Sequence, residues 1–206
     1  DGLDLIERNL NRAAGLLANF KQVAVDQTSA QRRRFDLRKT VDEVVATLMP
    51  GLRKRRLVLE VEIPEGLELD SFPGPLEQVI ANIVTNAAIH AFGPDEAGEL
   101  FILAEPVGTG EIELCIRDNG CGIPPEVQGR VFDPFFTTRM GQGGSGLGLY
   151  IVYNIVTSLL GGSIEVRSTP GGTCFTMRFP ACAPDAPEGL ASVLGVTQTL
   201  PLPGRA

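Results

Sequence analysis

The amino-acid sequence predicts an α+β domain, a two-layer α/β sandwich in which helices pack on one face of a mixed, mostly antiparallel sheet, preceded by a long helix. Two observations predict this class. Two pairs of strand-like segments are each joined by a short turn that contains glycine, which is typical of β-hairpins. The helical segments between those hairpins do not repeat the strand–helix–strand order of a doubly wound parallel sheet.

The first 30 residues have the apolar spacing of a helix that packs against other helices. From Leu3 to Ala24 the apolar residues recur at alternating intervals of three and four, which places them in one narrow heptad stripe. Such a stripe packs against the chain's own domain or against partner helices, and its strict period favours a coiled-coil or bundle partner. We interpret residues 27–34 as a hinge whose arginines form a solvated face.

After the hinge, helical and strand-like periods alternate along the chain. Apolar residues three and four apart predict helices, and strict alternation of apolar and polar residues predicts strands. The stretches VGTG and TPGG provide the turns of the two hairpins. In chain order the predicted elements are a helix at 37–54, a strand at 57–63, a helix at 76–91, strands at 101–106 and 111–118, a helix at 147–160, and strands at 163–168 and 173–179.

The C-terminal residues differ in composition from the rest of the chain. Residues 182–206 contain four prolines and few charges. Such a segment has little with which to build a core of its own, although its leucines and valines could pack elsewhere. We therefore expect one domain over residues 31–181 and a poorly ordered tail over residues 182–206.

The charge balance excludes several classes of partner. The 206-residue chain carries a formal net charge of −7, which argues against non-specific binding to nucleic acid or to an anionic membrane surface, because both require a basic face. The net negative charge is compatible with a small anionic ligand that is held by local groups. No apolar run reaches membrane-spanning length and the N-terminus does not resemble a signal peptide. We expect a cytoplasmic location, which is also compatible with a membrane anchor in a longer protein.

The four cysteines do not predict a structural metal site. Cys115, Cys121, Cys174 and Cys182 form no C-x-x-C pair, and His90 is the one histidine of the chain. A structural zinc site normally needs four closely organised Cys or His ligands. We expect reduced thiols in a reducing compartment.

A run of glycines stands directly before the helix predicted at 147–160. Residues 141–148 read GQGGSGLG, and dense glycine marks backbone with unusual dihedrals or close approach to a ligand. A dinucleotide-binding loop needs a buried strand before its first glycine, whereas FDPFFTTRM precedes this run. A P-loop needs Lys and then Ser or Thr after its last glycine, whereas Leu147 and Leu149 follow here. A flexible loop without a ligand remains the alternative.

Three further stretches argue against a plain loop. QVIANIVTNAAIHA (78–91) places Asn82 and Asn86 on one helix face. RDNGCGIP (117–124) ends a strand in Asp118 and then turns, and FDPFFTTR is an aromatic cluster. Taken singly, each has a simpler explanation, such as amides bound to backbone or an ordinary turn.

Taken in order, the motifs N-x-x-x-N, D-x-G-x-G, F-x-P-F-F, G-x-G-L-G-L and G-G-T-x-F cover residues 77–179. This series resembles the ATP-binding domain of bacterial sensor histidine kinases, within the group shared with DNA gyrase, Hsp90 and MutL. The resemblance implies a Bergerat-type ATP-binding fold and a transferase in two-component signal transduction. That enzyme passes a phosphoryl group from Mg-ATP to a histidine and then to an aspartate of a response regulator.

The same resemblance implies partners for the N-terminal helix. Residues 1–30 resemble the second helix of the kinases' dimerisation bundle, through which the intact protein would form a homodimer. The phosphoacceptor histidine belongs to the first helix of that bundle, which this sequence does not contain. We therefore expect the chain to bind ATP without phosphorylating itself.

The resemblance also implies roles for residues at the adenine and the metal. Asn86 would supply an oxygen to Mg²⁺, which needs few protein ligands because phosphates and waters complete its octahedron. Asp118 would accept a hydrogen bond from the exocyclic amine of adenine and repel the carbonyl that guanine has there. The remaining residues expected around the base and the metal are Asn82, His90, Gly120, Gly122, Ile123 and Thr173, with His90 near the nucleotide and not the phosphoacceptor.

The glycine run would be the end of a mobile lid over the triphosphate. Gly144, Gly146 and Gly148 would let backbone N–H groups turn toward phosphate, and the helix that begins near Leu147 would present its positive end to the same anion. Arg139 would be a lid cation. Phe136 would pack the lid together with Phe132 and Phe135.

Two alternatives remain from the sequence. An ATPase clamp of the gyrase or MutL type carries a water-activating glutamate four residues before the magnesium asparagine, where this chain has Asn82. Because an amide is no base, we expect slow hydrolysis. The other alternative is a nucleotide-dependent or degenerate interaction module without phosphoryl transfer, against which the intact motifs argue.

Overall fold

The computed structural model of the chain describes residues 31–93, 95–137 and 146–185. The helix predicted over residues 1–30 lies outside these ranges, and so do Arg139 and Gly144 of the predicted lid and residues 186–206. None of the helices in the described ranges is both long enough and apolar enough to cross a membrane.

The described residues form seven strands and four α-helices. The strands are β1 (Arg33–Asp36), β2 (Leu57–Glu62), β3 (Glu68–Ser71), β4 (Gly98–Val107), β5 (Glu111–Asp118), β6 (Ser163–Thr169) and β7 (Gly172–Pro180). The helices are α1 (Leu37–Lys54), α2 (Pro73–His90), α3 (Pro125–Gln128) and α4 (Gly148–Asn154), and α4 continues into a π-helical turn at Ile155–Leu159.

The main sheet has five strands in the order β2-β4-β5-β7-β6. The pairing of β2 with β4 is parallel, and the other three pairings are antiparallel. The mixed, mostly antiparallel sheet predicted from the sequence is therefore confirmed. Both predicted hairpins are present, β4 with β5 and β6 with β7.

The helical layer covers one face of this sheet. Along β5, Ile112, Leu114 and Ile116 are buried in the common core, whereas the alternate residues Glu113 and Cys115 are only partly buried. This period of two is what a sheet with one covered face requires. The helices contribute the facing side chains of one continuous core, among them Val41 of α1, Ile80 and Ile83 of α2, and Val152 and Val156 in and after α4.

The first turns of the two long helices, and the last turn of α1, have favourable local chemistry. Asp36 caps α1, since its side chain accepts a hydrogen bond from the Lys39 N–H at 3.0 Å. Arg53 and Lys54 lie in the last turn of α1, where cations favour the negative end of the helix dipole. Pro73 occupies the first turn of α2, a position at which the missing N–H costs nothing. The start of α2 predicted from the sequence, residue 76, is three residues later than the start in the structure.

A second, two-stranded sheet was not predicted. Strands β1 and β3 pair antiparallel, and β1 overlaps the segment interpreted as a hinge. Arg32 lies just before β1 and binds the Asp70 carboxylate at 3.0 Å, so it is held by an ion pair and does not simply face solvent. Each strand has four residues, which is too short for a period of two to be recognised.

Residues 182–185, which the sequence assigned to the tail, pack against this second sheet. Ala183 is buried, and its N–H donates to the Asp70 carbonyl at 2.9 Å. The Asp70 N–H in turn donates to the Ala181 carbonyl at 2.8 Å. The backbone of residues 181–183 therefore continues the pairing beside β3.

Candidate nucleotide-binding site

Asp118 lies at the end of β5 with its side chain on the core face of the sheet. It is 6% exposed, and its Oδ1 accepts hydrogen bonds from the Gly120 N–H at 2.9 Å and the Thr173 N–H at 3.2 Å. These two donors belong to the turn after β5 and to β7. They hold one carboxylate oxygen in place, while Oδ2 accepts no hydrogen bond from another described residue.

The electrostatics of Asp118 follow from this position. Burial raises the pKa of its carboxyl above the ordinary range, and the hydrogen bonds from Gly120 and Thr173 partly offset that increase. A buried carboxylate is costly to leave unpaired, so a ligand donor directed at the second oxygen would be favoured.

Two glycines bring the backbone close around this carboxylate. A methyl group at Gly120 would lie 2.4 Å from the Ala91 carbonyl oxygen at the end of α2. A methyl group at Gly172 would lie 2.1 Å from the Asp118 carbonyl oxygen, and Gly172 has a φ of +136°. Both positions therefore require glycine for close packing of main chain on main chain.

The turn after β5 is fastened to the β6–β7 hairpin. Gly122 has a φ of +76°, and a methyl group there would lie 2.0 Å from the Thr169 carbonyl oxygen. The Ile123 N–H donates to Ser168 Oγ at 2.7 Å. Ser168 Oγ also lies 2.9 Å from Thr173 Oγ1. Asp118, Gly120, Gly122, Ile123 and Thr173, predicted as one group, are thus brought together.

The two asparagines lie on the face of α2 that approaches α4. Asn82 Nδ2 donates to the Gly148 carbonyl at 3.4 Å, which is a long hydrogen bond. A methyl group at Gly148 would have Asn86 Nδ2 as its nearest neighbour, at 3.7 Å. Asn86 is partly buried, and its side chain makes no hydrogen bond to another residue in the described part of the chain.

Gly146 and Phe135, which flank the segment predicted as a lid, lie close together. Gly146 has a φ of +67°, and a methyl group there would lie 2.5 Å from the Phe135 carbonyl carbon. Phe135 itself has a φ of +65°. Phe136 is partly buried beneath the Arg130 guanidinium, whose carbon lies 4.9 Å from the ring centre. Leu147 stands at the N-cap of α4.

The other predicted residues are placed as follows. Phe132 packs on Tyr153 and Phe175, with ring centres 5.5 Å and 6.4 Å away, so it anchors the segment before the lid to the core. His90 is the last residue of α2 and is exposed. Arg139 and Gly144 lie outside the described residues.

Several contributors to this site were not predicted. Ser168 was seen only as part of a hairpin, Gly172 belonged to the G-G-T-x-F motif but was given no role of its own, and the Ala91 carbonyl and Gln128 were not singled out. Gln128 Nε2 donates to the Ile123 carbonyl at 2.8 Å and the Ser168 carbonyl at 3.2 Å. The register of the β6–β7 hairpin was a usable signal for Ser168, because Ser168 lies directly opposite Thr173.

Comparison with known proteins places this geometry in a family. A family model described as histidine kinase-, DNA gyrase B- and HSP90-like ATPase matches residues 73–183, which is more than half of the chain. The chain belongs to this family. The matched segment of this ATPase-like domain runs from the start of α2 to the residues beside β3, and it contains every described residue of the candidate site. The resemblance drawn from the sequence motifs is confirmed.

Curated relatives of this ATPase-like domain include a sensor protein and a sensor histidine kinase. The chain is 32% identical over 187 residues to the alginate biosynthesis sensor protein KinB of Pseudomonas aeruginosa, covering 87% of this chain and 30% of KinB. It is 30% identical over 203 residues to the sensor histidine kinase RcsC of Escherichia coli K12, covering 91% of this chain and 20% of RcsC. The chain thus spans less than a third of the length of either relative.

Solved structures agree with the fold. The catalytic domain of the histidine kinase ThkA, in a nucleotide-free form, superposes with a TM-score of 0.66 at 29% identity, covering 74% of this chain and 97% of that one. The mycobacterial sensor histidine kinase MprB superposes with a TM-score of 0.61 at 27% identity, covering 72% of this chain and 97% of that one. The predicted fold class is confirmed, and the described domain is an ATP-binding domain of the histidine kinase type.

Proposed function

We propose that this chain supplies the ATP-binding catalytic domain of a sensor histidine protein kinase. The observation that carries the proposal is the Asp118 carboxylate, which is buried and held through Oδ1 by two backbone N–H groups. The intact protein would transfer the γ-phosphoryl group of ATP to a histidine and then to an aspartate of a response regulator. The family and the sensor kinase relatives support that chemistry.

Adenine selection follows from the state of Asp118. Its Oδ2 would accept a hydrogen bond from the exocyclic amine of adenine, which relieves a buried charge that lacks a donor at that oxygen. Guanine has a carbonyl at the corresponding position, so two acceptors would meet and GTP would bind poorly. Ile123 would lie against the base, and Thr173 would assist at the same edge.

The phosphates would lie between α2 and the start of α4. Gly146, Gly148 and Gly144 would allow backbone N–H groups to face the phosphates, with Leu147 at the start of the helix. Arg139 would add a positive charge from the lid, and Phe136 would help to pack it. Charge stabilisation and positioning are the main demands of phosphoryl transfer, so these groups match the reaction.

The residues present fit a magnesium ion bound mainly through phosphate. Asn86 offers an amide oxygen and has no competing hydrogen bond to another described residue, and Asn82 lies one turn away. Magnesium retains several waters and needs few protein ligands. When bound, the ion would neutralise phosphate charge, while Asn86 would fix the position of the phosphates relative to α2.

Several features of the intact protein belong to the same proposal. A crystal structure of ThkA in complex with the response regulator protein TrrA superposes on this chain with a TM-score of 0.62 at 26% identity. By analogy, the partner here would be a response-regulator receiver domain. We further propose a homodimer formed through a helical bundle that includes residues 1–30, a cytoplasmic location, and no nucleic-acid partner, in keeping with the net charge of −7.

The phosphoacceptor would be a histidine other than His90. His90 ends α2, and its carbonyl is the acceptor for the Cys121 thiol at 3.6 Å, so it belongs to the wall of the site. Hydrolysis as the main activity is disfavoured because Asn82 stands where an ATPase clamp has its base.

The test is calorimetric titration of the chain with ATP and with GTP, each with and without Mg²⁺. We expect saturable binding of ATP that strengthens with Mg²⁺ and little binding of GTP. Equal affinities for the two nucleotides would refute the adenine assignment of Asp118. Absence of ATP binding would favour the interaction module that performs no phosphoryl transfer.

A further inference from the structure

The face of the main sheet that points away from the helices carries a cluster that nucleotide binding does not use. The strand register aligns Phe101, Arg117, Cys174 and Arg167 across β4, β5, β7 and β6. The Arg117 guanidinium carbon lies 4.7 Å from the centre of the Phe101 ring. Cys174 therefore lies between two arginines, one on each neighbouring strand.

The next row on the same face contains a second thiol. Cys115 lies opposite Thr176 on β7 and is therefore the diagonal neighbour of Cys174. The two Sγ atoms are 2.7 Å apart, and both cysteines are free and partly buried. Diagonal neighbours are normally near the outer limit of what a disulfide can join. The right-handed twist of a sheet shortens one diagonal, and the sulfur contact identifies Cys115–Cys174 as the shortened one.

The surroundings of the pair favour a thiolate at Cys174. The hydrogen bond from the Cys115 thiol is the main cause that lowers the pKa of Cys174 to about 6, and Thr176, Arg117 and Arg167 act in the same direction against the effect of burial. The same hydrogen bond raises the pKa of Cys115 above its ordinary range, with burial adding to the increase. One member of the pair is thus ionised near neutral pH while the other keeps its proton.

We propose that Cys115 and Cys174 form a redox site in which a low-molecular-weight disulfide oxidises the two thiols to an intramolecular disulfide. A thiolate beside cations, with a second thiol in contact, is the arrangement of a reactive and a resolving cysteine. A disulfide needs the sulfurs about 2.05 Å apart, so only a small further approach is required. In a reducing compartment such a bridge is transient and serves sensing, not structure.

The chemistry balances as thiol–disulfide exchange. The Cys174 thiolate attacks one sulfur of the small disulfide, forms a mixed disulfide and expels the first small thiolate. Cys115 then attacks the Cys174 sulfur, the Cys115–Cys174 bond forms, and the second small thiolate leaves and takes up the proton from Cys115. The protein loses two electrons, and the oxidant is reduced to two thiols.

The chain contains matched controls for this reaction. Cys121 and Cys182 are exposed free cysteines, and their hydrogen-bonding partners are not the Cys115–Cys174 pair but other residues. The Cys121 thiol donates to the His90 carbonyl, and the Cys182 sulfur accepts from Arg32 at 3.0 Å. If exposure alone decided oxidation, these two thiols would react before the partly buried pair.

Peptide mapping separates the four cysteines cleanly. Cleavage after Lys and Arg gives residues 57–117, 118–130, 168–178 and 179–205, each with a single cysteine. The full chain, folded and reduced, is incubated with oxidised glutathione at pH 7, alkylated, digested without reductant and analysed by mass spectrometry. We expect a cross-linked pair of peptides 57–117 and 168–178 that dithiothreitol removes, in chains that remain covalent monomers.

Variants decide between the proposal and its alternatives. The double variant Cys121→Ser/Cys182→Ser should retain the cross-link, whereas Cys115→Ser and Cys174→Ser should each abolish it. The proposal is overturned if Cys115 and Cys174 stay fully alkylated, if each carries its own glutathione, or if the link joins two chains. If a serine variant does not fold, peptide mapping of the unaltered protein alone distinguishes these outcomes. The readout does not depend on nucleotide binding.

Discussion

The two ends of the proposed nucleotide site are built differently. At the adenine end, Asp118 is held by two backbone donors, and methyl groups at Gly120, Gly122 and Gly172 would collide with carbonyl oxygens at 2.0–2.4 Å. At the phosphate end, a methyl group at Gly146 would lie 2.5 Å from the Phe135 carbonyl carbon, whereas one at Gly148 would meet nothing closer than 3.7 Å. There the Asn82 amide donates to the Gly148 carbonyl at 3.4 Å, which is a long hydrogen bond.

This difference suggests that the two ends bind their parts of the nucleotide in different ways. The adenine end is formed before the nucleotide arrives, because its groups are fixed by backbone contacts between β5 and the β6–β7 hairpin. At the phosphate end, a methyl group at Gly148 would have no neighbour closer than 3.7 Å on the side of Asn82 and Asn86, and we expect the phosphates and the metal to supply contacts there. Recognition of the base should therefore depend on backbone contacts that are already present in the fold. Binding of the phosphates should depend on contacts that form only when the nucleotide and its metal ion are bound.

The largest effect is expected from a methyl group at the adenine end. Gly122→Ala would place a Cβ 2.0 Å from the Thr169 carbonyl oxygen at a φ of +76°. The positive φ costs about 1–2 kcal/mol and overpacking about 1–3 kcal/mol, so we expect the free energy of unfolding to fall by roughly 3 kcal/mol. Urea denaturation measures it.

Gly51→Ala is the matched control. Gly51 lies in α1, and a methyl group there would have nothing within 4 Å. We expect a gain of up to about 1 kcal/mol from helix propensity. Equal losses in the two variants would mean that the turn after β5 is not under the steric constraint that we describe.

The next effect concerns base recognition. Asp118→Asn keeps one oxygen for the Gly120 and Thr173 donors but can place an N–H₂ group toward adenine, where two donors would repel. Loss of a hydrogen bond to a charged group corresponds to about 1.5–3 kcal/mol, so the affinity for ATP should fall roughly 10- to 150-fold without loss of the fold. Calorimetry measures the affinity, and circular dichroism checks the fold.

Asp42→Asn controls for charge. Asp42 is an exposed carboxylate on α1 that pairs with Arg38 at 3.0 Å. Its removal should leave the affinity for ATP unchanged. If both variants weaken binding alike, the effect comes from net charge and not from a contact with the base.

A smaller effect is expected at the phosphate end. Asn86→Ala should remove the amide oxygen proposed for Mg²⁺, which would lower the affinity for ATP roughly 10-fold, about 1.4 kcal/mol, in the presence of Mg²⁺ only. Thr85→Ala, on the exposed side of the same helix, should have no such effect. An equal loss with and without Mg²⁺ would show that Asn86 acts on the nucleotide or the fold and not through the metal.

The smallest effect is on the pH dependence of stability. Because burial raises the pKa of Asp118 in the folded state, the folded protein binds the proton more tightly than the unfolded chain does. The resulting stability is fully present below the unfolded pKa of about 3.9 and is lost as the pH rises through the folded pKa. Asp118→Asn should therefore gain stability relative to the unaltered protein as the pH rises through that window. Parallel pH profiles of the two proteins would contradict the burial of this charge.

Much of the fold and of the site could be predicted because the signals are local. The helix at residues 37–54 was predicted with the bounds that the structure has, since the apolar period that predicted it lies within one stretch of chain. Asp118 and the asparagines of α2 were found because their motifs are contiguous in sequence. Hairpins were recognised because their turns lie between the strands that they join.

Features that depend on pairing between distant parts of the chain were not predicted from the sequence. Strands β1 and β3 were missed because each is short and is stabilised by a partner more than thirty residues away. The reason that position 172 of the G-G-T-x-F motif requires glycine became visible only when β7 was placed beside β5. The contact between Cys115 and Cys174 has the same origin, since it depends on register and on sheet twist.

The sequence by itself determined the type of each main element and singled out the carboxylate that we propose binds adenine, because side-chain period and motif spacing act over a few residues. Tertiary structure decided which backbone donors hold that carboxylate, where glycine is obligatory, and which two thiols meet. These outcomes depend on distances between strands far apart in the chain, and such distances are fixed only when the sheet has assembled around its core.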